Sequence, residues 1–264
     1  MTRDQCQRAW TTFLILLLAT DLLFIGLHSL HVFSRFLPEM YFNITYDRGA
    51  AEPFQMAKEY WIALLMIWLA WSRFSVSYLS WAVVFGYIAF DDLIMVHEKL
   101  GERIAHEHGF SAMFGLRDID FGEMTVYALA AAVLLPLLAL AYARGDATFR
   151  RMSRRLVGFL VLFAFFGGVV DMVHILITHP TLNEIVGMVE DGGEMLTITA
   201  TAGYVLREVL LAKVEPVATD AQLQHKPLSR RPDGMLPPAL PAARRSTGEA
   251  GPVRAAACGG LPSP

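Results

Sequence analysis

Two segments of the chain carry acidic and histidine side chains inside runs of apolar residues. Asp171 and His174 are three residues apart, and Glu190 and Glu194 are four residues apart. On an α-helix these spacings place both members of a pair on one face. Carboxylates and imidazoles on facing helices are the ligands with which bundle proteins hold iron or manganese ions. The spacing therefore predicts a metal site to which both segments contribute.

Other acids and histidines lie where further apolar runs begin or end. A charged side chain at mid-membrane costs about 2.5–3.5 kcal/mol on insertion scales, so such residues are expected to face the protein interior. Several acids in one place also repel one another and need protons, basic partners or cations. We expect core metal ligands at Asp171, His174, Glu190, Glu194, Glu123, Glu98 and His97, and alternate or supporting ligands at Asp91, Asp92, Glu59 and His28.

The segment FDDLIMVHE is the densest of these polar stretches. On one continuous helix, Asp91 and Glu98 are seven residues apart and share a face, while His97 projects about 100° away from Glu98. Tyr127 follows Glu123 by one helical turn. These spacings predict that two further helices bring ligands to the same site, with Tyr127 beside it.

Each of these residues, taken singly, also has a structural explanation. An Asp-x-x-His pair can be a local hydrogen-bonded pair, Asp91 and Asp92 can cap a helix end, and Glu123 can favour a helix N-terminus through the macrodipole. The two opening pairs are harder to explain in this way because they lie inside apolar runs. Convergence of carboxyls and imidazoles from separate segments favours a shared site.

The elements that must position these side chains are transmembrane helices. The chain is 55% hydrophobic and 18% charged, with a mean hydropathy of +0.42, whereas soluble domains are nearer one quarter charged. A helix needs roughly 20 apolar residues to cross a bilayer. The apolar runs predict six spans, at about 10–30, 54–71, 76–96, 124–143, 156–177 and 185–211. The third is expected to continue as an amphipathic helix through His106.

The predicted fold is an all-α polytopic transmembrane helix bundle over residues 1–214. Residues 215–264 are rich in Pro, Ala and Arg and poor in aliphatic side chains. Such a composition cannot bury a core, so a disordered cytoplasmic tail is expected there. Two glycine pairs, Gly167–Gly168 and Gly192–Gly193, are expected to permit close helix approach. The second pair could also break the sixth helix.

Basic residues set the expected orientation. The loop between the fourth and fifth spans contains Arg144, Arg150, Arg151, Arg154 and Arg155, whereas the next loop has no Lys or Arg. By the positive-inside rule the first of these loops is cytoplasmic. Six spans then place both termini in the cytoplasm and the polar residues towards the non-cytoplasmic side. A bacterial-type inner membrane is the expected location.

Carboxylate-rich ligands with a few imidazoles predict two divalent metal ions, with iron favoured and manganese or zinc as alternatives. The favoured function is a di-iron oxidase, oxygenase or desaturase-like oxidoreductase of lipid metabolism. Its expected partners are membrane lipids, a lipophilic small-molecule substrate, and an electron donor or partner subunit, with no nucleic acid. A zinc-dependent lipid hydrolase and a proton or divalent-cation transporter remain open. Bis-histidine haem would leave the acids unexplained.

Overall fold

The computed structural model describes residues 2–34, 37, 39–46 and 48–224, with side chains as far as 214. Within this part of the chain there is no β-strand, and the fold is a helix bundle, as predicted. The α-helices are α1 (Arg3–Ser29), α2 (Ala51–Ser72), α3 (Ser77–Ile94), α4 (Val96–His108), α5 (Asp118–Arg144), α6 (Ala147–Ala164), α7 (Asp171–Leu176) and α8 (Pro180–Gln224). Two π-helices, Leu30–Ser34 and Phe165–Val170, follow α1 and join α6 to α7.

Five helical segments of the described chain are long and apolar enough to cross a membrane. They are Arg3–Ser34, Ser77–Ile94, Asp118–Arg144, Ala147–Leu176 and Pro180–Val214. The remaining predicted span corresponds to α2, whose 22 residues give a length of about 33 Å. This helix is less apolar because it carries Glu52, Lys58 and Glu59, and it packs against α3 and α8.

The outer surface of the bundle is apolar, as a lipid-facing surface must be. Leu22, Val133 and Val161 lie on three different helices and are 61%, 70% and 64% exposed. Buried aromatic and aliphatic side chains fill the interior, where Trp81 donates from Nε1 to Ser153 Oγ at 2.9 Å. The fold is therefore that of a polytopic membrane protein.

The predicted helix from span three through His106 is interrupted at Met95. This residue has left-handed φ and ψ angles of 56° and 53° and ends α3. The Asp91 carboxylate then caps α4, since Oδ1 accepts from the His97 backbone N–H at 2.9 Å. Asp91 and Glu98 consequently lie on two different helices, and the prediction that they share one helical face is wrong.

Helix α4 lies against α5 at a crossing of two glycines. A β-carbon at Gly122 would overlap the backbone oxygen of Gly101, and a β-carbon at Gly101 would lie 2.7 Å from Glu123 N. Only residues without side chains allow this approach. The crossing brings the His97 ring of α4 onto the Tyr127 ring of α5, with centroids 5.1 Å apart and planes inclined by 26°.

Helix α8 runs without a break through Gly192 and Gly193, so the possible break in the sixth span does not occur. Gly193 instead leaves room for the Phe166 ring. The backbone of α8 continues through Gln224, past the start of the tail expected from residue 215. Residues 225–264 of that tail lie outside the described residues.

Candidate functional site

Helices α2 and α3 bring two carboxyl groups face to face. Glu59 is fully buried, and neither of its oxygens has a hydrogen-bond donor among the described residues. The Asp92 carboxyl lies within hydrogen-bond reach of it, so the two can share a bond when one of them carries a proton. Because ionised carboxylates repel each other, this pair requires a proton or a cation.

A second carboxyl pair joins α7 to α8. Asp171 and Glu190 lie within hydrogen-bond reach of each other. Glu190 Oε2 also lies 2.7 Å from His174 Nδ1. A β-carbon at Gly187 would be 3.2 Å from His174 Nε2, so that nitrogen faces the α8 backbone. Nδ1 is therefore the imidazole nitrogen on the carboxyl side.

Glu194 links the two pairs. It follows Glu190 by one turn of α8 and lies within electrostatic range of Asp92, Asp171 and Glu190. Its Oε2 accepts from the Gln55 side-chain amide at 3.2 Å. Together, these acids form the carboxyl cluster, which consists of Glu59, Asp92, Asp171, Glu190 and Glu194.

An imidazole and a phenol border the carboxyl cluster on the side of α4 and α5. His97 Nδ1 lies 3.0 Å from Asp91 Oδ2, and Nε2 lies 3.8 Å from Glu98 Oε1. Burial lowers the pKa of His97, but its hydrogen bond to Asp91 and the charge of that carboxylate outweigh burial, so the net shift is upward. Tyr127 lies within electrostatic range of the cluster's Asp92 and Glu194.

The other predicted ligands stand outside the carboxyl cluster or at its edge. Both Asp91 oxygens contact His97, the Glu98 side chain is 41% exposed, and Glu123 lies within electrostatic range of His97. The His28 ring is fully buried and pairs through Nδ1 with Asn43 Oδ1 at 2.9 Å, while its Nε2 has no partner among the described residues. None of the described contacts of His28 reaches the cluster.

Sequence reasoning missed a buried ion pair beneath the carboxyl cluster. Lys58 Nζ lies 2.7 Å from Asp21 Oδ1 and also donates to the Thr199 hydroxyl and the Met195 carbonyl, each at 3.0 Å. Thr199 in turn donates to Asp21 Oδ2 at 2.6 Å. Asp21 and Lys58 are both fully buried. An acid and a base inside two separate apolar runs were the available signal for this pair.

The carboxyl cluster has more acids than basic partners. Its strongest Lys and Arg neighbours are Lys58 and Arg117, and each already pairs with another acid. Lys58 binds Asp21, and Arg117 binds Asp120 at 2.6 Å. In the described part of the chain the acids form pairs, and no three or more His, Cys, Asp or Glu side chains are placed to hold one metal ion.

Comparison with known proteins gives a family without an assigned activity. No curated protein matches this chain, and no solved structure does. A family model described as a domain of unknown function (DUF8692) matches residues 31–207, a range that contains all five members of the carboxyl cluster. Because this match covers more than half of its length, the chain belongs to the family described as a domain of unknown function (DUF8692).

Proposed function

We propose that this protein is an integral membrane metalloprotein whose carboxyl cluster binds two divalent metal ions, with iron favoured. The observation that supports this most directly is the pair formed by Glu59 and Asp92. The Glu59 carboxyl is fully buried and lacks any hydrogen-bond donor among the described residues. Burying such a group is costly unless it is protonated, paired or bound to a metal.

The arrangement of the pairs favours two ions over one. Glu59 and Asp92 would supply two ligands to the first ion, and Asp171 and Glu190 two to the second. A third ligand, such as His174 Nδ1, would have to move in when the metal binds, because no three such side chains are placed to hold one ion in the described part of the chain. Glu194 lies within electrostatic range of both pairs and would be available as a further carboxylate ligand. Mostly carboxylate ligands with one imidazole suit iron or manganese. Zinc sites have more His or Cys.

The proposed activity is oxidation of a lipid-soluble substrate such as an acyl chain, a quinone or an isoprenoid. Two bound irons would supply dioxygen chemistry. The chain's own side chains would orient the ligands. Gln55 holds one oxygen of Glu194, and Asp91 fixes the His97 ring, as hydrogen-bonded partners commonly do around metal ligands. An electron donor or partner subunit would complete the reaction.

The proposed orientation has both termini in the cytoplasm of a bacterial-type inner membrane. Arginines flank the turn between α5 and α6, with Arg144 as the last residue of α5 and Arg150, Arg151, Arg154 and Arg155 in the first half of α6. The turn between α7 and α8 lies at the opposite end of the α6–α7 rod and has no Lys or Arg. The positive-inside rule favours a non-cytoplasmic position for the turn between α7 and α8, and therefore also for the carboxyl cluster near it.

Metal analysis and optical spectroscopy of the detergent-purified full-length protein test this proposal. We expect about two irons per chain, with bands of a carboxylate-bridged pair. Glu59→Gln and Glu194→Gln should lose metal. Glu107→Gln should retain it, because this acid is exposed and pairs with Arg103.

Other outcomes would contradict the di-iron assignment and identify a different class. A Soret band would indicate haem, and zinc alone would favour hydrolysis of a lipid amide or ester. Metal-free protein that moves protons or divalent cations in proteoliposomes would indicate a transporter.

A further inference from the structure

The π-helix Phe165–Val170 packs against α8 beside the carboxyl cluster. Its third residue, Gly167, lies directly against the Glu194 side chain. A β-carbon at position 167 would overlap Glu194 Oε1 and lie 3.1 Å from its Cδ. Gly168 is the next residue of the same π-helix, yet a β-carbon there would meet nothing within 4 Å. One glycine of the pair is thus in contact with the cluster, and the other is not.

The atoms around Gly167 distinguish it from a glycine that only lets two helices approach. The three atoms nearest to a β-carbon at this position all belong to the Glu194 carboxyl group. At Gly193, by contrast, the corresponding neighbours are ring carbons of Phe166. The space left at Gly167 is therefore filled by a carboxyl group, whereas the space at Gly193 is filled by an apolar ring.

We propose that Gly167 is a positioning residue for Glu194. The missing side chain at Gly167 leaves room for Glu194 Oε1. On the other side, the Gln55 side-chain amide of α2 donates to Glu194 Oε2 at 3.2 Å. These two constraints hold the Glu194 carboxyl within electrostatic range of both acid pairs. The π-helix also leads directly into Asp171, the first residue of α7, and π-helical turns are frequent at functional sites. The inference rests on the proposed function in treating Glu194 as a metal ligand.

Gly167→Ala and Gly168→Ala form a matched pair for the test, since both add one methyl group to the same π-helix. Iron(II) is titrated into each full-length variant in detergent, and thermal unfolding monitors the fold. We expect Gly167→Ala to weaken metal binding about 10–100-fold, as loss of a supporting residue commonly does. Gly168→Ala should bind like the wild type. Equal affinity of the two variants would overturn the proposal.

A second substitution separates positioning from a general packing defect. Glu194→Asp shortens the side chain by one methylene and withdraws the carboxyl from position 167. The double variant Gly167→Ala/Glu194→Asp should therefore be more stable to heat than Gly167→Ala. Glu194→Gln keeps the original length and should give no such relief. A double variant as unstable as Gly167→Ala would contradict the proposal.

A readout without metal keeps the two proposals distinguishable. A membrane-soluble carbodiimide labels protonated carboxyls in apolar surroundings, and mass spectrometry reports the labelling rate at Glu194. We expect this rate to change in Gly167→Ala and to stay at the wild-type value in Gly168→Ala. Wild-type protein without metal would refute the proposed function, and the labelling would still test Gly167. Identical rates in all three proteins would refute the positioning role.

Discussion

Removing the charge of Lys58 should destabilise the bundle more than any substitution on its surface. Lys58→Met keeps an unbranched side chain of similar length but deletes the ammonium group. Asp21 would then keep the Thr199 hydroxyl, 2.6 Å from Oδ2, and lose its cation. The carboxylate is fully buried, so no solvent would compensate for the loss.

The expected magnitude follows from the difference between breaking and removing a buried pair. Breaking one by deleting a single partner costs about 3–5 kcal/mol, because an uncompensated charge remains. Removing both partners in favour of apolar residues is often close to neutral. We therefore expect Lys58→Met to lower the free energy of unfolding by about 3–5 kcal/mol, and Asp21→Leu/Lys58→Met to recover most of that loss.

Reversible unfolding in mixed micelles, followed by tryptophan fluorescence, measures these free energies. The single variants, the double variant and the wild type form a double-mutant cycle. Arg103→Ala is the control, since the Arg103–Glu107 pair is exposed, and it should unfold like the wild type. Lys58→Met as stable as the wild type would show that the buried Asp21 carboxylate needs no cation. Losses of the two single variants that simply add in the double variant would show that the two side chains are not coupled.

Two further substitutions test the local geometry around α4. Asp91→Ala should cost about 1 kcal/mol through loss of the helix cap and should lower the pKa of His97, measured by NMR titration of metal-free protein. Because Asp91 raises the pKa of His97, the interaction between Asp91 and protonated His97 stabilises the fold fully below the unfolded-state pKa of His97, and this stabilisation is lost as pH rises through the folded-state pKa. If the free energy of unfolding of Asp91→Ala depends on pH in the same way as that of the wild type, this prediction is wrong. Gly122→Ala should cost about 1–3 kcal/mol by forcing α4 away at Gly101. A β-carbon at Gly158 would meet nothing within 4 Å, so Gly158→Ala should leave the unfolding temperature unchanged. Equal unfolding temperatures of Gly122→Ala and Gly158→Ala would disprove the tight crossing of α4 and α5.

The positions of the helices could be predicted well because apolar runs mark the hydrocarbon of the membrane. Their ends could not, since a helix continues where its side chains become polar. The α5 helix begins at Asp118, for example, although its apolar run begins near Met124. The break at Met95 was hidden for another reason. A left-handed conformation is uncommon for residues other than glycine, and no glycine, proline or asparagine marks this position.

The pairing of side chains within one helix was also accessible to sequence reasoning. Residues three or four apart face the same way on any helix, so the placement of Asp171 and His174 on one side of α7 needed no tertiary information. That both meet Glu190 of α8 did need it. The partner of Lys58 needed it as well. Adjacent residues project about 100° apart, so Lys58 and Glu59 point to different neighbours. Only the rotation of α2 against α1 and α3 determines that one meets Asp21 and the other Asp92.

The buried ion pair between α1 and α2 has a consequence for biosynthesis. Asp21 and Lys58 are 37 residues apart, so at about 5–20 residues per second the base is synthesised about 2–7 s after the acid. Until then α1 would carry an unpaired carboxylate into lipid, which favours insertion of α1 and α2 together as a hairpin. Thr199 follows Lys58 by 141 residues, or about 7–28 s. The hairpin of α1 and α2 therefore lies in the bilayer without the Thr199 hydrogen bonds of Asp21 and Lys58 until α8 is synthesised.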